Sequence, residues 1–156
     1  MKVGLGFDIH PLVYKRKLII GGVELEYEKG LSGHSDADVL THAIMDALLG
    51  AVALGDIGEL FPASDEMYKD ISSMILLDKV VSSLIEKGFK IENVDAVIIC
   101  QKPRLSSYIK DMRKNLSYHL KIDLKSINVK AKSSEGIGIL GKGDAISAFA
   151  VAMISS

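Results

Sequence analysis

The sequence predicts an α/β sandwich, in which a mixed β-sheet carries helices packed on one of its faces. Segments with a hydrophobic period of two, or with short apolar runs, alternate along the chain with segments of helical period. Gly and Pro separate these segments. The length of 156 residues, without repeat or linker, fits one domain spanning residues 1–156. Strands alternating with helices in one domain favour a sheet covered by helices.

The first element is a strand at residues 2–9. Apolar residues lie on one of its faces, and the other face carries two glycines followed by Asp8 and His10. We expect Pro11 to end this strand, and Gly4 and Gly6 to leave room beside the two polar side chains. The remaining elements follow from periodicity and breakers: a hairpin with strands at 18–20 and 23–27, a loop at 30–36, helices at about 37–53, 71–87 and 105–120, a loop at 56–65, and strands at 94–100, 127–131 and 145–154.

The composition excludes several function classes. Nineteen basic and twenty acidic residues give a net charge of -1, so no basic field exists to attract nucleic acid. No run of eighteen apolar residues predicts a membrane span, and the first eleven residues do not resemble a signal peptide. Cys100 is the single cysteine, so no internal disulfide can form.

Three residues form a candidate metal site. Asp8 and His10 project from the same face of the predicted first strand, so their side chains can converge on one cation. His42 lies one turn inside the predicted helix 37–53. An Asp-His-His set leaves a fourth position open for substrate, as in catalytic zinc sites. The alternatives are an exposed Asp8 with a satisfied His10, and a surface ion pair on the helix for His42.

Two carboxylates flank His42 at helical spacing. Asp38 and Asp46 lie four residues before and after it, which places all three on one helix face. We expect Asp46 to accept a hydrogen bond from the nitrogen of His42 that does not bind metal, and so to orient the ring. The alternative is a solvated carboxylate on the helix surface.

Two loops contain candidate phosphate contacts, one before the predicted helix 37–53 and one after the predicted strand 127–131. His34 and Ser35 precede the predicted helix, whose N-terminus favours anions, although Ser35 or Asp36 could simply be its N-cap. Lys130, Lys132, Ser133, Ser134 and Glu135 lie before a glycine-rich loop that ends at Lys142. Hydroxyls and cations suit diphosphate oxygens, and a carboxylate can hold magnesium. The alternative is an ordinary surface loop.

These residues stand in segments that resemble the methylerythritol cyclodiphosphate synthase family over essentially the whole chain. The matching segments are GFDIHPL at 6–12, LIIGGVELEYEKGL at 18–31, HSDADVLTHAIMDALLGAVALGDIGELFP at 34–62, NVDAVIICQKPRL at 93–105 and INVKAKSSEGIGILGKG at 127–143. The long central block, with histidines and aspartates at fixed spacing, is the most specific of them.

The resemblance implies roles for individual residues. Asp8, His10 and His42 match the ligands of one divalent ion per subunit, normally zinc, with manganese as the alternative. His34 and Ser35 match substrate-phosphate contacts, and His34 and Ser133 match the transition-state stabilisers. The methylerythritol end is matched by Asp56, Ile57, Gly58, Phe61, Pro62, Ala63, Ser64 and Asp65. The cytidine pocket is matched by Cys100, Gln101, Lys102, Pro103, Arg104, Leu105 and Ser106. The diphosphate segment is matched by Lys132, Ser133, Ser134 and Glu135, with further substrate contacts at Ile139 and Lys142.

Cofactors and partners are implied in the same way. Glu135 matches a ligand of magnesium or manganese bound with the substrate diphosphate. Members of the family are homotrimers whose sheets face inward and whose active sites lie between subunits. Ile139 and Lys142 also match the lining of a central cavity that binds an isoprenoid diphosphate. Lys142 stands where Arg is frequent, so the bidentate contact that an arginine guanidinium makes with phosphate is lost. Such enzymes work in the bacterial cytoplasm or, after removal of a leader, in a plastid or apicoplast-type organelle.

The reaction that the resemblance implies is an intramolecular cyclisation. The 2-phosphate of a CDP-linked methylerythritol attacks the β-phosphorus, and CMP leaves. Cys100 is expected to pack or to contact substrate through its backbone rather than to act as a nucleophile, since no histidine stands near it in sequence. Two alternatives use the same residues: a zinc phosphohydrolase, and a module that binds a nucleotide or isoprenoid diphosphate without turnover.

Overall fold

A computed structural model describes all 156 residues as a five-stranded sheet with helices on one face. The strands are β1 (Lys2–Tyr14), β2 (Leu18–Ile20), β3 (Val23–Leu25), β4 (Lys29–Leu31), β5 (Lys90–Ile99), β6 (Ile127–Lys132) and β7 (Ala145–Ser155). The helices are α1 (Val39–Ala51), α2 (Ile57–Leu60), α3 (Ser73–Glu86), α4 (Ile109–Leu120) and α5 (Gly138–Gly141). No helix is long and apolar enough to cross a membrane.

The sheet is mixed, as the sequence predicted. Its strand order is β4-β1-β7-β5-β6, and only β5 and β6 pair in parallel. Helix α1 lies across β1 and β7, while α3 packs on α1, and α4 packs on α3 and β6. One core of buried aliphatic side chains fills the space between helices and sheet. The predicted fold class is therefore confirmed.

Strand β1 differs from its prediction in its length and in what its glycines make room for. It continues through Pro11 to Tyr14 because the chain changes partner there, from β7 to the short strand β4. Its glycine face packs on α1: a Cβ at Gly4 would lie 1.9 Å from the Ala47 carbonyl oxygen, and one at Gly6 would lie 1.8 Å from that of Ala43. These two glycines thus make room for a helix backbone rather than for the metal site.

The opposite face of the sheet carries uncovered apolar side chains. Val3 and Leu5 are each 67% exposed, and Phe7 and Phe149 are paired across β1 and β7 with ring centroids 4.7 Å apart. A contiguous apolar row of this kind on a folded domain marks an interaction surface. The helices therefore bury only one side of the sheet.

The remaining boundaries differ mainly at the ends. The hairpin of β2 and β3 turns through Gly21 and Gly22, both at positive φ, as predicted. Segment 145–154, ambiguous by periodicity, is a strand paired with β1 and β5. The three predicted helices each begin two to four residues later than expected. Strand β4 and helices α2 and α5 lie in segments predicted as loops, because three or four residues carry no readable period.

Candidate metal centre and active site

Strand β1 and helix α1 bring the predicted Asp-His-His set together. The Asp8 Oδ2 atom lies 2.9 Å from His10 Nε2 and 3.0 Å from His42 Nδ1, and the two ring nitrogens are 3.2 Å apart. Asp8 and His10 share a strand face, and His42 projects from the first turn of α1 over that face. One carboxylate oxygen and two imidazole nitrogens within 4.8 Å of one another suit a single divalent cation.

The electrostatics of the set are coupled. Burial raises the pKa of Asp8, but the hydrogen bonds and positive charge of His10 and His42 outweigh burial and lower this pKa to about 2. Burial lowers the pKa of His10, yet the hydrogen bond and charge of Asp8 outweigh it, so that the His10 pKa is raised. Asp8 and His10 thus each favour the charged form of the other.

Each histidine has its other ring nitrogen engaged. His10 Nδ1 lies 2.8 Å from the carbonyl oxygen of Ser32, which accepts a hydrogen bond from Nδ1–H. The Nε2 atom of His10 therefore faces the metal set. His42 Nε2 lies 3.1 Å from Ser35 Oγ and 3.0 Å from Ser73 Oγ. Both rings therefore present to Asp8 the nitrogen that a metal would take.

The predicted contact between Asp46 and His42 is wrong. The Asp46 carboxylate accepts a hydrogen bond of 2.9 Å from the backbone N–H of Ile57, at the start of α2. Asp38 does not flank the ring either, because it is the N-cap of α1. Its buried carboxylate accepts from the N–H groups of Gly21, Gly22 and Thr41. Asp38, rather than Ser35 or Asp36, therefore begins the helix.

The metal set opens into a cavity of about 250 Å³. The residues that line it were mostly predicted as substrate contacts: Asp8, His10, His34, Ser35, His42, Ile57, Gly58, Phe61 and Ala63, with Tyr68 and Leu76 in addition. Asp56, Pro62, Ser64 and Asp65 lie beside it in the same exposed segment. The sequence did not indicate Tyr68, which lies between two predicted elements, or Leu76, whose apolar side chain has the pattern of a core residue in the predicted helix 71–87.

The segment over this cavity is held at several points. Asp56 and Asp65 cap α2 and the following 3-10 turn through hydrogen bonds from Glu59 and Met67. His34 Nε2 contacts the Asp65 carbonyl oxygen at 3.0 Å. The segment from 56 to 65 is therefore tied both to α1, through Asp46, and to the loop that contains His34.

A second cleft, of about 660 Å³, contains the predicted cytidine residues. It is lined by Cys100, Gln101, Lys102, Pro103, Arg104, Leu105, Ser106, Lys132 and Ser133, together with Tyr27 and Ala131. Burial raises the pKa of the Cys100 thiol to about 12, and its Sγ donates to the Lys102 carbonyl, so this thiol is no nucleophile. The cleft shares no residue with the cavity beside the metal set.

The diphosphate segment lies at the edge of this cleft. The Ser133 hydroxyl donates to Glu135 Oε1 at 2.6 Å, and Glu135 has a φ of 53°, a left-handed conformation that is rare outside glycine. Ser134 has a buried hydroxyl without a hydrogen-bond partner. Ile139 and Lys142 are exposed, on and just after α5. These residues do not meet the metal set within one chain.

Comparisons with known proteins agree with this geometry. The model described as the YgbB family matches residues 1–155. A 2-C-methyl-D-erythritol 2,4-cyclodiphosphate synthase from Clostridium acetobutylicum is 56% identical over 99% of both chains. One from Lachnospira eligens is 58% identical over 100% of this chain and 85% of its own. The solved structure of IspF from Plasmodium falciparum in complex with CDP has a TM-score of 0.86 and 35% identity, covering 98% of this chain and 94% of that one.

Proposed function

The chain belongs to the YgbB family, and from this premise we propose that it is an enzyme of the non-mevalonate route to isoprenoids. Its substrate is 4-diphosphocytidyl-2-C-methyl-D-erythritol 2-phosphate, and its products are 2-C-methyl-D-erythritol 2,4-cyclodiphosphate and CMP. An oxygen of the 2-phosphate forms a bond to the β-phosphorus, and the bond from that phosphorus to the oxygen shared with the α-phosphate breaks. The shared oxygen leaves with CMP, so no water is consumed and the enzyme is a phosphorus-oxygen lyase.

The observation that carries this proposal is the convergence of Asp8, His10 and His42 beside a small cavity. Their donor set suits zinc or manganese, and the three residues would hold one such ion per chain. A bound divalent cation would neutralise the phosphate charges that must approach one another. The nucleophile is already an anion, so the chain needs no strong base to activate it.

Residues around the cavity support binding of the methylerythritol end. Ile57, Phe61 and Leu76 supply apolar surface for a methyl-bearing carbon chain, and the caps of 56–65 fix the backbone of that segment. His34 is held through Nε2, and its Nδ1 atom makes no hydrogen bond to protein. That nitrogen is available to a phosphate oxygen that gains charge during the reaction.

The second cleft supports binding of the cytidine and its diphosphate. Backbone groups of 100–106 would read the base, and Lys132 places a cation at the diphosphate. Glu135, a single exposed carboxylate, suits magnesium or manganese, which use one or two carboxylates plus substrate phosphates. If Glu135 held a cation, the Ser133 hydroxyl would be free to donate its hydrogen bond to a substrate oxygen instead, and this bond would stabilise the transition state.

A homotrimer would unite the two cavities. They share no residue in one chain, although the substrate needs both. The uncovered apolar face of β1 and β7 is the surface expected for sheets that pack around a threefold axis. In this arrangement the metal set of one subunit faces the cytidine cleft of its neighbour. Ile139 and Lys142 would then lie toward the central cavity, where an isoprenoid diphosphate is a candidate ligand.

Product analysis tests the proposal. The protein is incubated with the CDP-linked substrate and magnesium, and phosphorus NMR follows the products. We expect CMP and a cyclic diphosphate in equal amounts. A linear monophosphate would instead identify a zinc phosphohydrolase, and tight binding without turnover would identify a binding module. Either result would contradict the proposal.

A further inference from the structure

Buried polar side chains form a hydrogen-bonded chain behind His42, on the side away from Asp8. The His42 Nε2 atom lies 3.0 Å from Ser73 Oγ. Ser73 in turn contacts Asp36 twice: its hydroxyl donates to Oδ1, and its backbone N–H donates to Oδ2 at 2.9 Å. Ser73 is fully buried, although the cap of α3 is its neighbour Ser72. The buried hydroxyl is therefore not needed to begin the helix.

The donors and acceptors in this chain fix the direction of each bond. A hydroxyl has one proton, and the Ser73 proton is donated to the carboxylate of Asp36. Toward His42, Ser73 can then only accept. The second hydroxyl near the ring, Ser35 at 3.1 Å, contacts no carboxylate and so sets no direction. Only the Asp36–Ser73 pair specifies that the His42 proton lies on Nε2.

A proton on Nε2 leaves the lone pair of Nδ1 for the metal side. Asp8 Oδ2 is 3.0 Å from that same nitrogen, and without a metal its charge would draw the proton to Nδ1. We propose that Asp36 and Ser73 are positioning residues that hold the proton of His42 on Nε2 against the pull of Asp8, so that Nδ1 can bind the cation. This inference rests on the metal site of the proposed function.

The pair also completes a pattern in the site. His10 is oriented by a backbone carbonyl, that of Ser32, whereas His42 is oriented by a side chain on a different helix. A backbone carbonyl cannot be changed by mutation, but Ser73 and Asp36 can. The orientation of His42 is therefore the part of the metal site that substitution can test without removing a ligand.

The first test compares Ser73→Ala with Ser72→Ala. Each protein is loaded with Zn²⁺, and affinity is measured by competition with a chelator. Loss of a partner that orients a metal-binding histidine costs roughly ten- to a hundred-fold in affinity, and we expect this loss in Ser73→Ala. Ser72→Ala removes a hydroxyl from the same helix start without touching His42, so its zinc affinity should equal that of the wild type.

A second variant keeps the side-chain volume. In Asp36→Asn, the amide can donate to Ser73, which frees the Ser73 proton to point at His42 Nε2. Zinc affinity should fall here as well. Proton NMR of the zinc-loaded proteins gives an independent readout, because the His42 Nε2–H should be protected from exchange in the wild type and exposed to exchange in Ser73→Ala.

The outcomes separate this inference from the proposed function. Wild-type protein that binds neither Zn²⁺ nor Mn²⁺ stoichiometrically would overturn both. Wild-type protein that binds zinc, with unchanged affinity in folded Ser73→Ala and Asp36→Asn, would overturn the inference alone. Reduced affinity in both variants, with Ser72→Ala unchanged, would establish it.

Discussion

The cavity beside the metal set and the second cleft, lined by residues 100–106, differ in how much of each site one chain builds. In the first, Ser35, His42 and Ser73 are buried, and their polar atoms are paired within the chain. In the second, Ser133 and Glu135 are exposed and bond chiefly to each other. The polar groups of the first site are thus organised within one chain, whereas those of the second are left exposed.

The difference follows from local structure. The metal set lies on β1 and α1, two long elements held together by the close approach at Gly4 and Gly6. The segment from Lys132 to Lys142 follows the end of β6 and includes only the four-residue helix α5. Regular elements fix side chains in place, and loops leave them adjustable.

The largest effect should come from His42→Ala, which removes a ligand from the organised site. We expect loss of stoichiometric metal and a fall in kcat/KM of about 10³-fold or more, because metal charge stabilisation contributes several kcal/mol. Elemental analysis and kinetics measure the two effects. His119→Ala is the matched control and should retain both, because His119 lies on α4 and pairs with Asp78 of α3, away from the metal set. Full metal content in His42→Ala would refute the ligand assignment.

The adjustable site should respond through the rate alone. In Ser133→Ala we expect kcat to fall by roughly 10²-fold, since one donor to developing charge is lost, while zinc content stays unchanged. Ser82→Ala, on the exposed face of α3, serves as control. A Ser133→Ala variant with wild-type kcat would show that the hydroxyl does not act in the transition state.

The organised site should also contribute stability that depends on pH in metal-free protein. The Asp8 pKa is lowered to about 2, so its contribution is present above about 3.8 and is lost as pH falls through 2. The His10 pKa is raised, so its contribution is present below about 6.5 and is lost as pH rises through the raised value.

The contributions of Asp8 and His10 to the free energy of unfolding are both present between about pH 4 and 6.5. We therefore expect Asp8→Asn to destabilise the metal-free protein by roughly 2 kcal/mol at pH 5 and by less at pH 8.5. Urea unfolding at both pH values measures this. An equal loss at the two values would mean that Asp8 does not interact with a charged His10.

The smallest effect concerns Asp46, which joins α1 to the segment over the cavity. Asp46→Ala should raise KM roughly five- to ten-fold, because the free energy of one hydrogen bond corresponds to a change of that size. Zinc affinity should stay unchanged. Asp46→Asn keeps an oxygen that can accept from Ile57 and should raise KM less. Weakened zinc binding in Asp46→Asn would restore the original prediction that Asp46 orients His42.

The sequence predicted the ligands of the metal set but not the residues behind them. Asp8 and His10 share a strand period, and His42 begins a strongly periodic helix, so pattern and resemblance could identify all three. Asp36 and Ser73 are 37 residues apart and on different elements. No period relates them, and each reads alone as a helix cap or first-turn residue. Asp46, at helical spacing from His42, was the wrong choice because the His42 Nε2 atom faces Ser35 and Ser73, while the Asp46 carboxylate is bonded to Ile57.

The long elements of the fold could be predicted from the sequence, but strand boundaries that depend on pairing with another strand could not. The strand at 145–154 and the Gly21-Gly22 turn were confirmed. Strand β1 passed beyond Pro11 because β4, only three residues long, offers it a second partner. Pairing of this kind depends on tertiary structure, which a local pattern does not contain.

The most direct test of the account asks whether the two cavities of one chain belong to two different active sites. His42→Ala and Ser133→Ala are each expected to lose most of the activity, and they damage different cavities. The two variants are co-expressed with different tags, and mixed oligomers are purified through both. If sites lie between subunits, these mixed trimers should show about a third of wild-type activity, since one of the three sites in each mixed trimer combines two intact cavities. Mixed oligomers no more active than the separate variants would contradict the shared site.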